Sequence, residues 1–252
     1  METFLPVISG TPLYGQLSWT QTQKDMKILV IPDVHGRDFW MKPCEHIDEF
    51  DKVIFLGDYH DPYTFQVSTD TSRHRLRDNL VPFIEAHQDK VVCLFGNHDG
   101  NYIGGNMADR FDRFHCDEIR GYLNRMNLKL AHKEGDILFT HSGVLPLWLQ
   151  ANAITIDDLI NADVTHMSSE LYGALMQVSP YRGGWDHCGS CVWGDVDEYY
   201  DSTKIEGLYQ IFGHTQQEED PIITNEFACL DCRKAFVLNT DNHELTEWKD
   251  VR

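Results

Sequence analysis

Carboxylate, amide and imidazole side chains recur in five short segments, and together these residue types can bind divalent metal ions. The segments are DVH (33–35), GDYHD (57–61), GNHD (96–99), THSG (140–143) and GHT (213–215). Mixed oxygen and nitrogen ligands suit Mn, Fe or Zn better than Ca or Mg. One tetrahedral zinc needs only four ligands, whereas two ions that share a carboxylate would use six or seven. The pattern therefore predicts a pair of divalent cations.

Each of these segments lies at the end of a short apolar run of the kind that forms a buried strand. The runs are MKILVIP (26–32), KVIFLG (52–57), KVVCLFG (90–96), DILFTH (136–141) and LYQIFG (208–213). Runs rich in Val, Ile, Leu and Phe are typical of central strands that are buried on both faces. The carboxyl ends of such strands form the ligand crevice of open α/β sheets. Any one of the motifs is a weak signal, but all five at strand ends predict one shared site.

The remaining pattern predicts an α/β fold in a single domain spanning residues 1–252. Helices are predicted at 73–87 and 109–127, and shorter ones at 156–163 and 168–177. Strand, helix, strand order indicates an α/β sandwich. The later runs FACLDC, AFVLN and ELTEW are predicted strands, with antiparallel pairing expected. The segment 142–190 is expected to form a helical cap over the crevice.

Composition restricts the class of function. The chain has 252 residues and a formal net charge of −19, and no basic stripe is evident. These features disfavour a nucleic-acid partner. No apolar stretch is long enough for a membrane span, so no membrane partner is expected. The first residues, METFLPVISG, do not resemble a secretory signal, which favours a cytoplasmic location. An acidic protein that handles phosphate needs local positive charge, which bound cations would provide.

The seven cysteines favour reduced thiols, because an odd number cannot pair completely. Two CxxC pairs, Cys188/Cys191 and Cys229/Cys232, have a spacing that zinc sites also use. The second pair lies in a predicted strand, where residues three apart point to opposite faces. Buried small apolar residues are therefore the favoured interpretation.

The five metal-binding motifs resemble those of the calcineurin-like metallophosphoesterase superfamily across roughly residues 26 to 240. The single His of GHT is similar to the phosphoprotein phosphatase branch, as are the HSG and VWGD (192–195) segments. That branch includes Ser/Thr phosphatases and symmetrical diadenosine tetraphosphate hydrolases. The resemblance implies the metallo-dependent phosphatase fold, a four-layer α-β-β-α sandwich.

The resemblance also implies roles for individual residues. One metal would be held by Asp33, His35 and Asp58. The other would share Asp58 as a bridge and take three further ligands, namely Asn97, His141 and His214. His98 matches the family's proton donor, and Asp61 matches the carboxylate that orients it. Two divalent ions are implied as cofactors, with Mn expected and Fe or Zn as alternatives.

The implied chemistry is hydrolysis of a phosphoester. Two cations lower the pKa of a bridging water to near neutrality. The resulting hydroxide would attack phosphorus in line, and His98 would protonate the leaving oxygen. Pairing with a carboxylate is expected to raise the pKa of that His and keep it protonated near pH 7.

The second motif departs from the family pattern. The family commonly has an Arg that holds the substrate phosphate where this chain has Pro62. Phosphate binding must therefore be built differently, and Arg182, in a Gly-rich loop before VWGD, is the first candidate. Arg37 is the second candidate. His60 also stands where a small apolar residue is usual, either close behind the metal ligands or in solvent.

Four functions are compatible with the motifs to different degrees. The first is a phosphomonoesterase acting on phosphoproteins or small phosphate esters, and the second is a nucleotide pyrophosphohydrolase of the diadenosine tetraphosphatase kind. The intact ligand set argues against a third, a non-catalytic metal-binding scaffold. The acidic charge argues against a fourth, a nuclease. The expected partner is thus a phosphorylated substrate, and the sequence predicts no oligomeric state.

Overall fold

The computed structural model describes residues 25–105 and 108–250, and its first sheet carries three of the predicted strands in parallel. These are β1 (Lys27–Ile31), β2 (Lys52–Phe55) and β3 (Val91–Cys93). Two antiparallel strands, β9 (Phe236–Asn239) and β10 (Glu244–Glu247), continue the sheet beyond β1. The strand order is β10-β9-β1-β2-β3.

The second sheet also has five strands, in the order β4-β5-β6-β8-β7. Its strands are β4 (Ala131–Glu134), β5 (Ile137–Thr140), β6 (Tyr209–Phe212), β7 (Ile222–Ile223) and β8 (Phe227–Cys229). Strands β5, β6 and β8 are parallel, and β4 and β7 are antiparallel edges. The predicted antiparallel pairing of the later strands holds for β9, for β10 and for β8 with β7, but it is wrong for β8 with β6, which are parallel.

The protein has two groups of buried apolar side chains. One lies between the two sheets, and the other lies between the sheets and the helices. Successive side chains of a strand point to opposite faces. Ile28 and Val30 of β1 belong to the same buried cluster as Phe139 and Ile211 of the second sheet. Leu29, between them in sequence, belongs to the cluster that contains the helical side chains. Burial on both faces explains the continuous apolar runs and confirms the four-layer sandwich.

Nine α-helices occur in the described residues, and most are short. They are α1 (Met41–Cys44), α2 (Thr69–Arg75), α3 (Val81–Ala86), α4 (Asn97–Gly104), α5 (Cys116–Arg125), α6 (Pro146–Asn152), α7 (Ile156–Asn161), α8 (Ser169–Leu175) and α9 (Val196–Asp201). A π-helical turn, Leu76–Leu80, joins α2 to α3. Three of the helices lie within 142–190, and the helical cap proposed for this segment stays a prediction.

Two predicted helix boundaries differ from the structure for local reasons. The helix predicted from residue 73 begins at Thr69, because Ser68 Oγ accepts from the Thr71 amide at 3.1 Å and caps it. The helix predicted from residue 109 begins only at Cys116. Asp112 Oδ1 accepts from the amides of Phe114 and His115, and this local turn competes with helix formation.

The remaining predictions concern the cysteines, membrane spans and the N-terminal segment. All seven cysteines lie within the described residues, and none forms a disulfide. The four CxxC cysteines are buried, but the predicted strand FACLDC ends at Cys229, so Cys232 lies in the following turn. No described helix is long and apolar enough to cross a membrane. The segment METFLPVISG lies outside the described residues.

Candidate metal centre

The first two candidate ligands follow β1 directly. Asp33 Oδ1 accepts from the backbone amide of His214 at 2.9 Å, which ties the ends of β1 and β6 together. His35 Nδ1 donates to the His60 carbonyl at 3.0 Å. This bond fixes the imidazole so that its Nε2 lies 3.5 Å from Asp58 Oδ2. His60 itself is buried, so the interpretation as a solvated side chain is wrong.

Asp58, the candidate bridging ligand, is held from two directions. Its Oδ1 accepts from the amide of His98 at 2.9 Å, and its own amide donates to Asp99 Oδ2 at 2.9 Å. Gly96 lies against it so closely that a Cβ there would overlap the Asp58 carboxylate. The glycine at this position is therefore required by close approach rather than by a turn.

The remaining candidate ligands meet on the other side of Asp58. His141 Nε2 lies 3.0 Å from Asn97 Oδ1, 3.1 Å from His214 Nδ1 and 3.6 Å from Asp58 Oδ2. His141 Nδ1 donates to the Leu56 carbonyl at 2.7 Å, so Nε2 is the nitrogen left for a ligand. The structure thus brings all six sequence-predicted ligands to one edge of the two sheets.

The cluster has the composition and geometry of a cation site. Ligand atoms of Asp33, Asp58, His141 and His214 all lie within 4.8 Å of one another. These four side chains are buried, and His214 Nε2 has no hydrogen-bond partner. The nitrogen of His214 that faces His141 is Nδ1. Carboxylate oxygens and imidazole nitrogens that converge on one buried point fit divalent cations.

The backbone around the cluster is strained in a consistent way. His35, Asp58, Asp61 and His214 have φ values of 43°, 53°, 52° and 64°. Residues other than glycine rarely adopt this left-handed backbone conformation, which costs of the order of 1–3 kcal/mol per residue. Four such residues in one cluster indicate that the surrounding structure fixes the side-chain directions at the expense of local stability.

The ionisation of the metal-free cluster reflects its burial. Burial, and then the Asp58 carboxylate, raise the pKa of Asp33 to about 8. Burial opposes ionisation of Asp58 as well, but the neighbouring imidazoles, His141 first, lower its pKa to about 2. Burial lowers the pKa of His35 to about 3 and that of His214 well below its ordinary value. A cation would bind the neutral imidazoles and the ionised Asp58 as they stand, and it would displace the proton of Asp33.

A second group of polar residues adjoins the cluster. His98 Nδ1 donates to Asp61 Oδ2 at 2.8 Å, and the Tyr102 hydroxyl donates to the other oxygen, Oδ1. Asp61 is completely buried. The His98 and His35 rings meet edge to face with centroids 5.2 Å apart. The carboxylate therefore fixes the His98 tautomer, and Nε2 accepts from Arg110 NH2 at 2.9 Å.

Comparison with known proteins assigns this arrangement to a family. A model of the calcineurin-like phosphoesterases matches residues 26–218, which is most of the chain. The chain belongs to the calcineurin-like phosphoesterases. Divalent metal ions and phosphoester hydrolysis follow from membership, and the enzyme is a metal-dependent phosphatase.

Solved structures agree with this phosphoesterase's fold. The cold-active protein-tyrosine phosphatase of a psychrophilic Shewanella species is 16% identical, with a TM-score of 0.55. That likeness covers 89% of this chain and 80% of the Shewanella chain. A protein serine/threonine phosphatase from Saccharomyces cerevisiae is 13% identical, with a TM-score of 0.51 and coverage of 92% and 82%. No curated protein compared with the chain matches it.

The two predicted phosphate-binding arginines are placed differently around the phosphoesterase site. Arg182 NH1 donates to Asp195 Oδ2 at 3.1 Å, so its charge is already paired. Arg37 is buried, and its NH1 donates to the Asp33 carbonyl at 3.2 Å while its Nε donates to Gln66. Both lie near the metal ligands, and a phosphate-binding role for either stays a prediction.

Sequence reasoning missed four residues that shape the site. Asp99 accepts from the Asp58 amide, and the Tyr102 hydroxyl donates to Asp61. Asp99 belongs to the GNHD motif and Tyr102 follows it in α4, so the motif indicated their neighbourhood but not their contacts. Arg110 contacts His98, but no motif marks it. Asp231 is buried with both carboxylate oxygens unpartnered among the described residues. Burial, and then Asp33, raise the pKa of Asp231 well above its ordinary value.

Proposed function

We propose that this phosphoesterase hydrolyses phosphate monoesters with two divalent cations, of which manganese is the expected identity. Asp33, His35 and Asp58 would hold one ion. The second would share Asp58 and take three further ligands, Asn97, His141 and His214. When bound, such a pair acidifies water and neutralises phosphoryl charge. The cluster of converging buried ligands is the observation that supports the proposal most strongly.

His98 is the proposed general acid. Asp61 accepts from its Nδ1, and Tyr102 holds Asp61 in turn, so the ring cannot rotate freely. The proton for the leaving oxygen would therefore leave from Nε2, the ring nitrogen that Asp61 does not hold. A positioned acid of this kind contributes about 10²–10⁴-fold to the rate.

Phosphoproteins are the proposed substrate class. The two solved structures described above are named as a protein-tyrosine phosphatase and a protein serine/threonine phosphatase. A nucleotide pyrophosphohydrolase remains the alternative, since the same ligand set would serve both reactions. A cytoplasmic location is also proposed, because an odd number of cysteines favours reduced thiols, which persist in a reducing compartment.

A substrate panel on metal-refilled protein tests the function. Protein stripped with a chelator is refilled with Mn, Fe, Zn or Mg and assayed on p-nitrophenyl phosphate, phosphoserine and phosphotyrosine peptides, and diadenosine tetraphosphate. We expect activity on monoesters to return with manganese. Cleavage of diadenosine tetraphosphate alone would favour the alternative. Protein that holds two ions per chain and cleaves none of the four would contradict phosphoester hydrolysis.

A further inference from the structure

Arg110 lies beside the candidate metal centre, in the segment between α4 and α5. Its NH2 group donates to His98 Nε2 at 2.9 Å, and its NH1 group donates to the Asp61 carbonyl at 2.8 Å. Neither acceptor carries a negative charge. The one ion pair found for Arg110 among the described residues is with Asp109 and spans 4.0 Å. Its guanidinium charge is therefore poorly neutralised within the protein and is available to an anion.

The other arginines near the site are less available. Arg182 is hydrogen-bonded to the Asp195 carboxylate. Arg37 also has only uncharged acceptors, the Asp33 carbonyl and Gln66, and its NH2 has no partner among the described residues. It is 7% exposed, however, so a ligand reaches it less easily than Arg110. Pro62 stands where the family resemblance implies an arginine, and it offers neither a charge nor an N–H group. The side chain of Arg110 is 18% exposed, so it is open to a ligand and still close to His98.

The guanidinium group of Arg110 stacks on the ring of Tyr63, which also contacts the metal-ligand candidate His35. The Arg110 Cζ lies 3.7 Å from the centroid of the Tyr63 ring, which is within cation–π distance. The same ring meets His35 edge to face at 5.3 Å and lies 5.4 Å from the Arg37 Cζ. Arg110 also has a left-handed φ of 62°, as the strained residues of the metal centre do. Stacking and backbone conformation thus both direct the guanidinium to this position.

We propose that Arg110 binds the phosphoryl oxygens of the substrate, replacing the arginine absent at Pro62, and that Tyr63 positions it. This inference rests on the proposed phosphoesterase function. On binding, the guanidinium exchanges its neutral acceptor, His98 Nε2, for a charged phosphoryl oxygen, which is the stronger partner. While it accepts from Arg110, His98 Nε2 carries no proton. The exchange frees this nitrogen to take up from solvent the proton that it would give to the leaving oxygen. Substrate binding and protonation of His98 are therefore coupled through one side chain.

Binding of inorganic phosphate to manganese-loaded protein tests the proposal without requiring turnover. Isothermal titration calorimetry compares wild type with Arg110→Gln, with Arg182→Gln and with Arg113→Gln, a matched change at an exposed neighbouring arginine. Loss of a charged hydrogen bond should weaken phosphate binding by Arg110→Gln about 10- to 100-fold. Arg113→Gln should change it less than twofold. Tyr63→Leu should weaken binding more than Tyr63→Phe, which keeps the aromatic ring.

Phosphate affinity within twofold of wild type in Arg110→Gln, with two manganese ions retained, would overturn the proposal. A larger loss in Arg182→Gln than in Arg110→Gln would also overturn it. If a thermal melt shows that Arg110→Gln does not fold, Arg110→Lys tests the proposal instead. Lysine keeps the charge but not the two-armed geometry of the guanidinium, so this variant should bind phosphate at least about fivefold more weakly than wild type. Phosphate binding that depends on Arg110 in a protein without phosphatase activity would refute the proposed function and leave this inference intact.

Discussion

Replacing Asp99 by Asn should destabilise the loop that carries Asp58 as well as the protein as a whole. Asp99 Oδ2 accepts from the amides of Asp58 and Gly96, both at 2.9 Å, and Oδ1 accepts from the Tyr59 amide at 3.1 Å. Asp99 is buried, so water cannot take over these bonds. The carboxylate therefore links the ends of β2 and β3, which present the candidate bridging ligand and the GNHD motif.

The magnitude follows from the number of acceptors that remain. Asn offers one oxygen where Asp99 offered two, and its amide group would face an N–H donor. Either orientation leaves at least one buried N–H unpaired, at a cost of about 1–3 kcal/mol. Burial, and then Asp58, raise the pKa of Asp99, but its three amide donors favour the carboxylate, so Asn also removes charge assistance from the remaining bonds. We expect Asp99→Asn to lose about 2–4 kcal/mol of unfolding free energy. Displacement of Asp58 should also weaken manganese binding about 10- to 100-fold, as is typical of residues that support metal ligands.

Urea unfolding in the presence of a chelator measures the stability change, and calorimetric titration with manganese measures the affinity. Asp89→Asn, at an exposed aspartate, is the matched control and should stay within about 0.5 kcal/mol of wild type. If Asp99→Asn behaves as this control in both measurements, the carboxylate does not organise the loop.

Three further predictions address the reaction, the geometry and the protons of the site. His98→Ala should lower kcat by about 10²–10⁴-fold and leave two ions bound by elemental analysis, whereas loss of metal would make His98 a ligand. Gly96→Ala should weaken manganese binding at least about tenfold by titration, because a Cβ there overlaps Asp58. The matched change Gly121→Ala meets open space and should have no such effect. Because the pKa of Asp33 is about 8 in the metal-free protein, a cation must displace its proton. Manganese affinity should then rise with pH up to about 8 and level off above it, with proton release seen by calorimetry in buffers of different ionisation enthalpy. An affinity independent of pH between 6 and 8 would contradict the raised pKa.

Much of the site could be predicted from sequence because each candidate ligand follows a buried strand. Apolar runs identify strands, and the carboxyl ends of parallel strands converge, so residues as far apart as Asp33 and His214 could be placed together. The polar motifs then marked the positions within each loop. The edge strands β4 and β7 were missed because they lack a continuous apolar run, since edges need not be buried on both faces.

Other parts could not be predicted because no local pattern encodes them. Asp112 lies in a segment whose pattern predicts a helix, but its side chain accepts from the amides of Phe114 and His115 and forms a turn. The predicted start of α5 was therefore too early. The contact of Arg110 with His98 joins two segments across a turn that carries no motif. Pairings of this kind depend on loop conformation, which the residue types alone leave open.

The number of ions bound by each chain tests the central claim most directly. Elemental analysis after loading with excess manganese and gel filtration should give two ions per chain for wild type. Asp58→Asn removes the candidate bridging carboxylate and should retain neither ion in full. Fewer than two ions in well-folded wild-type protein, or two full equivalents in Asp58→Asn, would contradict a dinuclear centre built around Asp58.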